Sequence, residues 1–99
     1  MPDRKIIDES HKISDQRGNG QLRREIWVDD RGAVTRYNLA YINNQIFTGD
    51  NGRVIGYDNA HGYHHRHYLG AVEPIEFVSF SDVEGRFEKD WLALRSKKP

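Results

Sequence analysis

An α+β fold is what this sequence predicts: an antiparallel sheet of about five strands with one C-terminal helix packed on one face. Two patterns carry that expectation. Runs of alternating polar and apolar residues, separated by Gly, Asp and Asn turns, fill the first sixty or so positions. A helix-start signature followed by an apolar stripe at spacings of four, four and three closes the chain. A third observation bounds the answer, since 99 residues with 36% apolar and 30% charged content supply one modest core. One α+β domain over residues 1–99 is therefore expected, with residues 95–99 a frayed basic tail.

Each element has its own warrant. Lys5 to Ser14 reads as the first strand, and the polar stretch Asp15 to Gly20 turns the chain. In the next run Leu22, Arg24, Ile26 and Val28 share one side while Arg23, Glu25 and Trp27 share the other, and Asp29-Asp30-Arg31-Gly32 supplies a hairpin turn. Val34 to Ile42 continues the alternation, with Tyr37, Leu39 and Tyr41 opposite Arg36, Asn38 and Ala40. Ile46-Phe47 extends the sheet briefly before Thr48 to Gly52 turns into a further run, Arg53 to Asn59. Pro74 to Phe80 reads as the last β run. Ser81 and Glu84 then form a capping-box pair, and Val83, Phe87, Trp91 and Leu94 make the stripe that covers one sheet face. The opposite face, bearing Arg, Tyr and His side chains, is left open for a substrate or a partner.

Composition excludes several functions. Fifteen basic residues balance fifteen acidic ones, so no bulk charge draws the chain to nucleic acid, although Arg36, Arg53 and Arg66 could make a local basic face. Zero cysteines remove thiolate catalysis and cysteine-ligated zinc. No apolar run approaches the length of a membrane span and no apolar stretch follows the N-terminus as a signal would, which gives a cytoplasmic expectation with no membrane partner. The phosphate-cradling glycine loop is also missing, because Gly49 and Gly52 lie in a turn with no helix behind it.

The concentrated chemistry lies in residues 57–68, which hold four of the five histidines, three tyrosines and Arg66. This segment resembles the TumE-type toxins of toxin–antitoxin pairs through Tyr57-Asp58-Asn59, His61-Gly62 and His65-Arg66-His67, with Pro74, Phe77 and a terminal helix carrying Phe87. The opening strand and the Tyr-x-Leu-x-Tyr run within Arg36 to Ile42 extend the likeness over most of the chain. The resemblance implies a small toxin neutralised by a separately encoded antitoxin, usually a helix-turn-helix DNA-binding protein. It implies no particular chemistry.

The residues suggest one. RNA cleavage without a metal or other cofactor needs a base for the 2′-hydroxyl, an acid for the leaving 5′-oxygen and a cation for the crowded phosphate. In an extended segment His65 and His67 share a face about 7 Å apart and supply the acid and base, with Arg66 and Asp58 assisting. Strict alternation sends Arg66 to the other face unless the backbone bends, in which case Arg36 or Arg53 from a neighbouring strand takes its place. Tyr57, His61, His64, Arg36 and Arg53 are the candidates for holding the RNA, though Tyr57 and Tyr68 also fit half-buried packing, and Asp58-Asn59 also fits a simple turn. Two other readings stand beside this one: a metal-dependent nuclease ligated by Asp58, His61, His65 and His67, and a non-catalytic surface contacting antitoxin or ribosome. The expected partners are an antitoxin and RNA, with a homodimer left open.

Overall fold

The computed structural model describes residues 3–95. Six strands, β1 (Arg4–Lys12), β2 (Gln21–Val28), β3 (Val34–Ile42), β4 (Arg53–Asp58), β5 (His65–Tyr68) and β6 (Ala71–Pro74), precede one helix, α1 (Phe80–Leu94). Every strand pairs antiparallel with its neighbour in sequence, giving the order β1-β2-β3-β4-β5-β6. The architecture is α+β as expected, with six strands rather than five. The extra strand arises because the histidine segment folds back on itself: Leu69 and Gly70 both take positive φ, 47° and 88°, and close a tight hairpin between β5 and β6.

Three boundaries move from their sequence-based positions. β1 ends at Lys12, and Ile13 is buried in the core. Ile46-Phe47 adds no strand; the Phe47 ring lies over Gly49 and Gly70 instead. The expected run Pro74 to Phe80 reaches the sheet only at its start, because Pro74 has no N–H to extend a ladder and only the Ile75 amide still bonds back, to the His64 carbonyl.

Opposed residues in an antiparallel pair point to the same side, so the register sorts the sheet into two faces. Leu22, Arg24 and Ile26 oppose Tyr41, Leu39 and Tyr37, while Tyr41 and Leu39 oppose Ile55 and Tyr57. This is the face beneath α1. Val83 and Phe87 are buried there, with Trp91 and Leu94 packed beside them, as the four-four-three spacing requires. Phe87 meets Tyr57 edge-on at 6.4 Å, Trp91 meets Tyr41 at 5.7 Å and Phe80 meets Tyr37 at 5.4 Å. Among the described residues no helix is long and apolar enough to cross a membrane.

The helix starts earlier than its capping pattern indicated. Ser79, not Ser81, is the N-cap: its backbone is extended and its Oγ accepts from the Asp82 amide at 3.0 Å. Starting at Phe80 lets that ring reach Tyr37, and the Glu84 carboxylate is free to meet Arg24 rather than fold back on the cap. Ser79→Ala is accordingly expected to cost about 1 kcal/mol and to lower Tm by roughly 4–8 °C. Ser81→Ala is expected to stay within about 0.5 kcal/mol of wild type, and thermal melts of the pair check the assignment. Arg95, expected to begin a frayed tail, donates its amide to the Trp91 carbonyl and packs its side chain by Gly18; residues 96–99 lie outside the described part.

Candidate functional site

The face without a helix carries Arg23, Glu25 and Trp27 from β2, Arg36, Asn38 and Ala40 from β3, Gly56 and Asp58 from β4, and His65 and His67 from β5. Period-2 alternation puts the two histidines on this side together, and pairing sets Asp58 directly opposite His65. The result is a buried cluster in an otherwise uncovered face: Asp58, His65 and His67 are 7%, 3% and 9% exposed. Asp58 Oδ1 lies 2.9 Å from Nε2 of His65, and Oδ2 lies 3.1 Å from Nε2 of His67. The two imidazole rings meet edge to face at 4.9 Å. Nδ1 of His65 lies 3.1 Å from the Tyr63 carbonyl, a group that can only accept, and the Tyr63 ring lies over His65 at 4.6 Å. The Asp58 side chain also accepts from the Ala60 amide at 3.0 Å, so it both forms the turn and holds the histidines.

Arg53 completes the cluster. Its guanidinium makes two bonds to Asp50, 2.8 and 3.1 Å, and stands 3.8 Å from Asp58. It reaches there by crossing Gly56, where a Cβ would sit 2.8 Å from its Cδ. Gly56→Ala therefore displaces Arg53 and leaves the cluster with less positive charge; a mild loss of stability, with a marked loss of any activity that uses Arg53, is the expected outcome in parallel melts and toxicity assays. Burial, then the nearby Arg53 charge, lowers the His67 pKa below its usual 6.5, outweighing Asp58.

Beside the cluster lies a cleft of about 270 Å³ between Trp27, Arg36, Asn38, Arg53 and Asp58. Arg36 and Lys5 both sit on the Trp27 ring, at 4.6 and 5.0 Å. The Asn38 amide donates to Glu25, while its Oδ1 is buried with no hydrogen-bond partner. Among the described residues, Asp58, His65 and His67 are the histidine and carboxylate side chains close enough to share a cation, their ligating atoms lying within 4.8 Å of one another.

Four expected site residues stand elsewhere. Arg66 is on the helix-covered face, because β5 stays regular and alternation sends it there; it bonds Asp90 at 3.0 Å and Glu73 at 2.9 Å and lies over Tyr68. Tyr57 is buried beneath α1 with its hydroxyl donated to Asp90, which removes it as a base platform; burial and that carboxylate raise its pKa to about 12. His64 also faces the helix side, stacked on Phe77 at 4.0 Å and 2.8 Å from the Tyr37 hydroxyl. His61 is exposed on the turn after β4 and is not one of the three converging side chains. Arg36 and Arg53 do lie on the open face. Sequence reasoning missed Trp27, Asn38 and Asp50 as site neighbours and Asp90 as the anchor of Tyr57 and Arg66. For Trp27 and Asn38 the signal was present in their parity with Arg23 and Arg36, whereas Asp50 reads only as a turn residue.

Burial, then the charge of His65, lowers the pKa of His64. The unfolded chain therefore takes up that proton first as pH falls, so this contribution to stability is present above about pH 6.5 and is lost toward the lowered folded value. Urea midpoints are expected to drop between about pH 7.5 and pH 5, and His64→Gln is expected to reduce that drop while weakening the fold at neutral pH.

The family model described as Toxin TumE matches residues 19–95, a span that includes every strand from β2 onward, the cluster and the helix. No curated protein and no solved structure matches the chain. With the cluster, the cleft and the capping helix all inside the matched span, the chain belongs to the TumE toxin family: it is the toxin of a toxin–antitoxin system and has a cognate antitoxin as its counterpart.

Proposed function

We propose that this toxin is an endoribonuclease acting on single-stranded RNA, in the cytoplasm, at the Asp58–His65–His67 cluster on its open face. The observation that carries this reading is the placement of Arg53, Arg36 and Trp27 on the same face as a buried carboxylate–imidazole cluster. Trp27 offers a stacking surface for an unpaired base once the cations on its ring, Arg36 or Lys5, swing aside. Arg36 holds the backbone. Arg53 takes the role first expected of Arg66 and offsets charge on the five-coordinate phosphorus.

In the reaction the 2′-oxygen attacks the adjacent phosphorus and loses its proton to the cluster. The P–O5′ bond breaks, the 5′-oxygen takes a proton from solvent water, and a 2′,3′-cyclic phosphate is left, while the cluster returns its proton to solvent. Both Nε2 atoms turn inward onto Asp58, so His65 and His67 do not flank one scissile ester; they act with Asp58 as a single proton-accepting centre. The antitoxin in this reading is a helix-turn-helix protein that neutralises the toxin by direct binding.

Incubation of purified toxin with end-labelled RNA tests the proposal. Wild type and Arg66→Gln are expected to cut, whereas Arg53→Gln is expected to be slower by about 10²–10³-fold, the scale set by removing one charge-stabilising donor. A substrate with one 2′-deoxy position should resist at that position. Uncut RNA with wild-type protein that still arrests growth would sink the enzymatic reading and leave the open face as a contact surface.

A further inference from the structure

We propose that Asp58, His65 and His67 bind one divalent first-row transition ion, of the zinc or manganese kind, through the carboxylate and the two Nε2 atoms. Two of the separations already suit it. Metal bonds of roughly 2.0–2.1 Å set neighbouring ligand atoms about 3 Å apart, and the two Nε2–oxygen distances are 2.9 and 3.1 Å. The ligating atoms of the three side chains lie within 4.8 Å of one another, so an ion enters once rotation of the imidazole rings about their side-chain bonds brings both Nε2 atoms to that spacing.

Hydrogen-bond stoichiometry points the same way. His65 places both ring nitrogens against acceptors, the Tyr63 carbonyl and the Asp58 carboxylate. A neutral ring carries one N–H for those two. A cation between Nε2 and Oδ1 removes the deficit, leaving Nδ1–H on the carbonyl in the arrangement that orients ligating histidines. The Ala60 amide fixes the carboxylate in the same way. Arg53 opposes a cation, but its guanidinium is committed to Asp50 by two hydrogen bonds, so the two carboxylates and one guanidinium leave the neighbourhood negative.

Two nitrogens and one oxygen without thiolate select against calcium and magnesium, which favour all-oxygen shells. Three protein ligands also leave coordination positions for water or a substrate oxygen. The inference deepens the RNA reading by changing its proton acceptor: with both Nε2 atoms and the carboxylate on the ion, an ion-held water would take over activation of the 2′-hydroxyl, and only that consequence rests on the reading; ion binding stands without it.

Tag-free full-length protein, stripped with chelator, is titrated with zinc by calorimetry and with cobalt(II) by absorption. One equivalent of zinc is expected, together with weak visible cobalt bands and no thiolate charge transfer. His65→Gln and His67→Gln are expected to weaken binding by more than the roughly 10–100-fold seen when a supporting residue is lost. His11→Gln and His61→Gln are expected to bind as wild type. No zinc uptake by folded wild type, or unchanged binding by folded His67→Gln, overturns the proposal; should the variants unfold, the wild-type stoichiometry and cobalt spectrum decide. Uptake without RNA cleavage would defeat the RNA reading and keep the site, while cleavage by a protein that takes up no zinc would do the reverse.

Discussion

Asp58→Ala is expected to abolish toxicity and to cost about 3–5 kcal/mol of stability. The carboxylate is 7% exposed and faces His65, His67, the Ala60 amide and, at 3.8 Å, the Arg53 guanidinium. Removing it leaves buried donors without an acceptor, and each such group carries a desolvation penalty of about 1–3 kcal/mol. Asp58→Asn separates the two roles. The amide oxygen still accepts from Ala60, so the turn survives, but the negative charge is gone and one face of the group now donates toward an imidazole. A folded Asp58→Asn protein with no toxicity is the expected result, read by denaturant titration alongside growth arrest in cells lacking antitoxin. Full toxicity in that variant would remove the cluster from the mechanism.

Phe87→Ala is expected to lose toxicity without touching the open face. Phe87 is buried between α1 and the sheet, edge-on to Tyr57. Truncating a buried Phe costs about 3–5 kcal/mol, and the whole stability of a domain this size is on the order of 5–15 kcal/mol. The variant therefore sits near its unfolding threshold at growth temperature. Leu92→Ala, at a position 39% exposed on the same helix, is expected to change stability by less than about 1 kcal/mol. Thermal melts by circular dichroism distinguish them, and equal melting of the two would mean that the stripe on α1 is not what closes the core.

The two sheet faces were legible because side-chain direction alternates locally: Tyr37, Leu39 and Tyr41 against Arg36, Asn38 and Ala40 is information carried by one strand. The stripe Val83, Phe87, Trp91 and Leu94 was legible for the same reason. The helix start was not, since Ser79 and Ser81 each have an acidic residue three positions on, and the contact of Phe80 with Tyr37, far away in sequence, goes with the earlier start. The sixth strand was hidden because its turn requires positive φ at Leu69, which residue type argues against. At the site, alternation alone put His65 and His67 together and Arg66 opposite. Their convergence on Asp58 depended on the register of β4 against β5, and the arrival of Arg53 depended on a register shift between Tyr41 and Ile42 and on the space above Gly56. Those are properties of pairs of strands, and no single run of residues states them.

The order of the sheet has a consequence for the cell that makes this protein. Each strand can zip onto the one synthesised just before it, yet the layer that shields Tyr37, Tyr41 and Tyr57 from water is synthesised only after all six strands. A nascent chain that has already emitted β4 and β5 is thus still a one-layered, solvent-exposed ribbon. Water is shut out from those three rings only when the fifteen-residue helix docks.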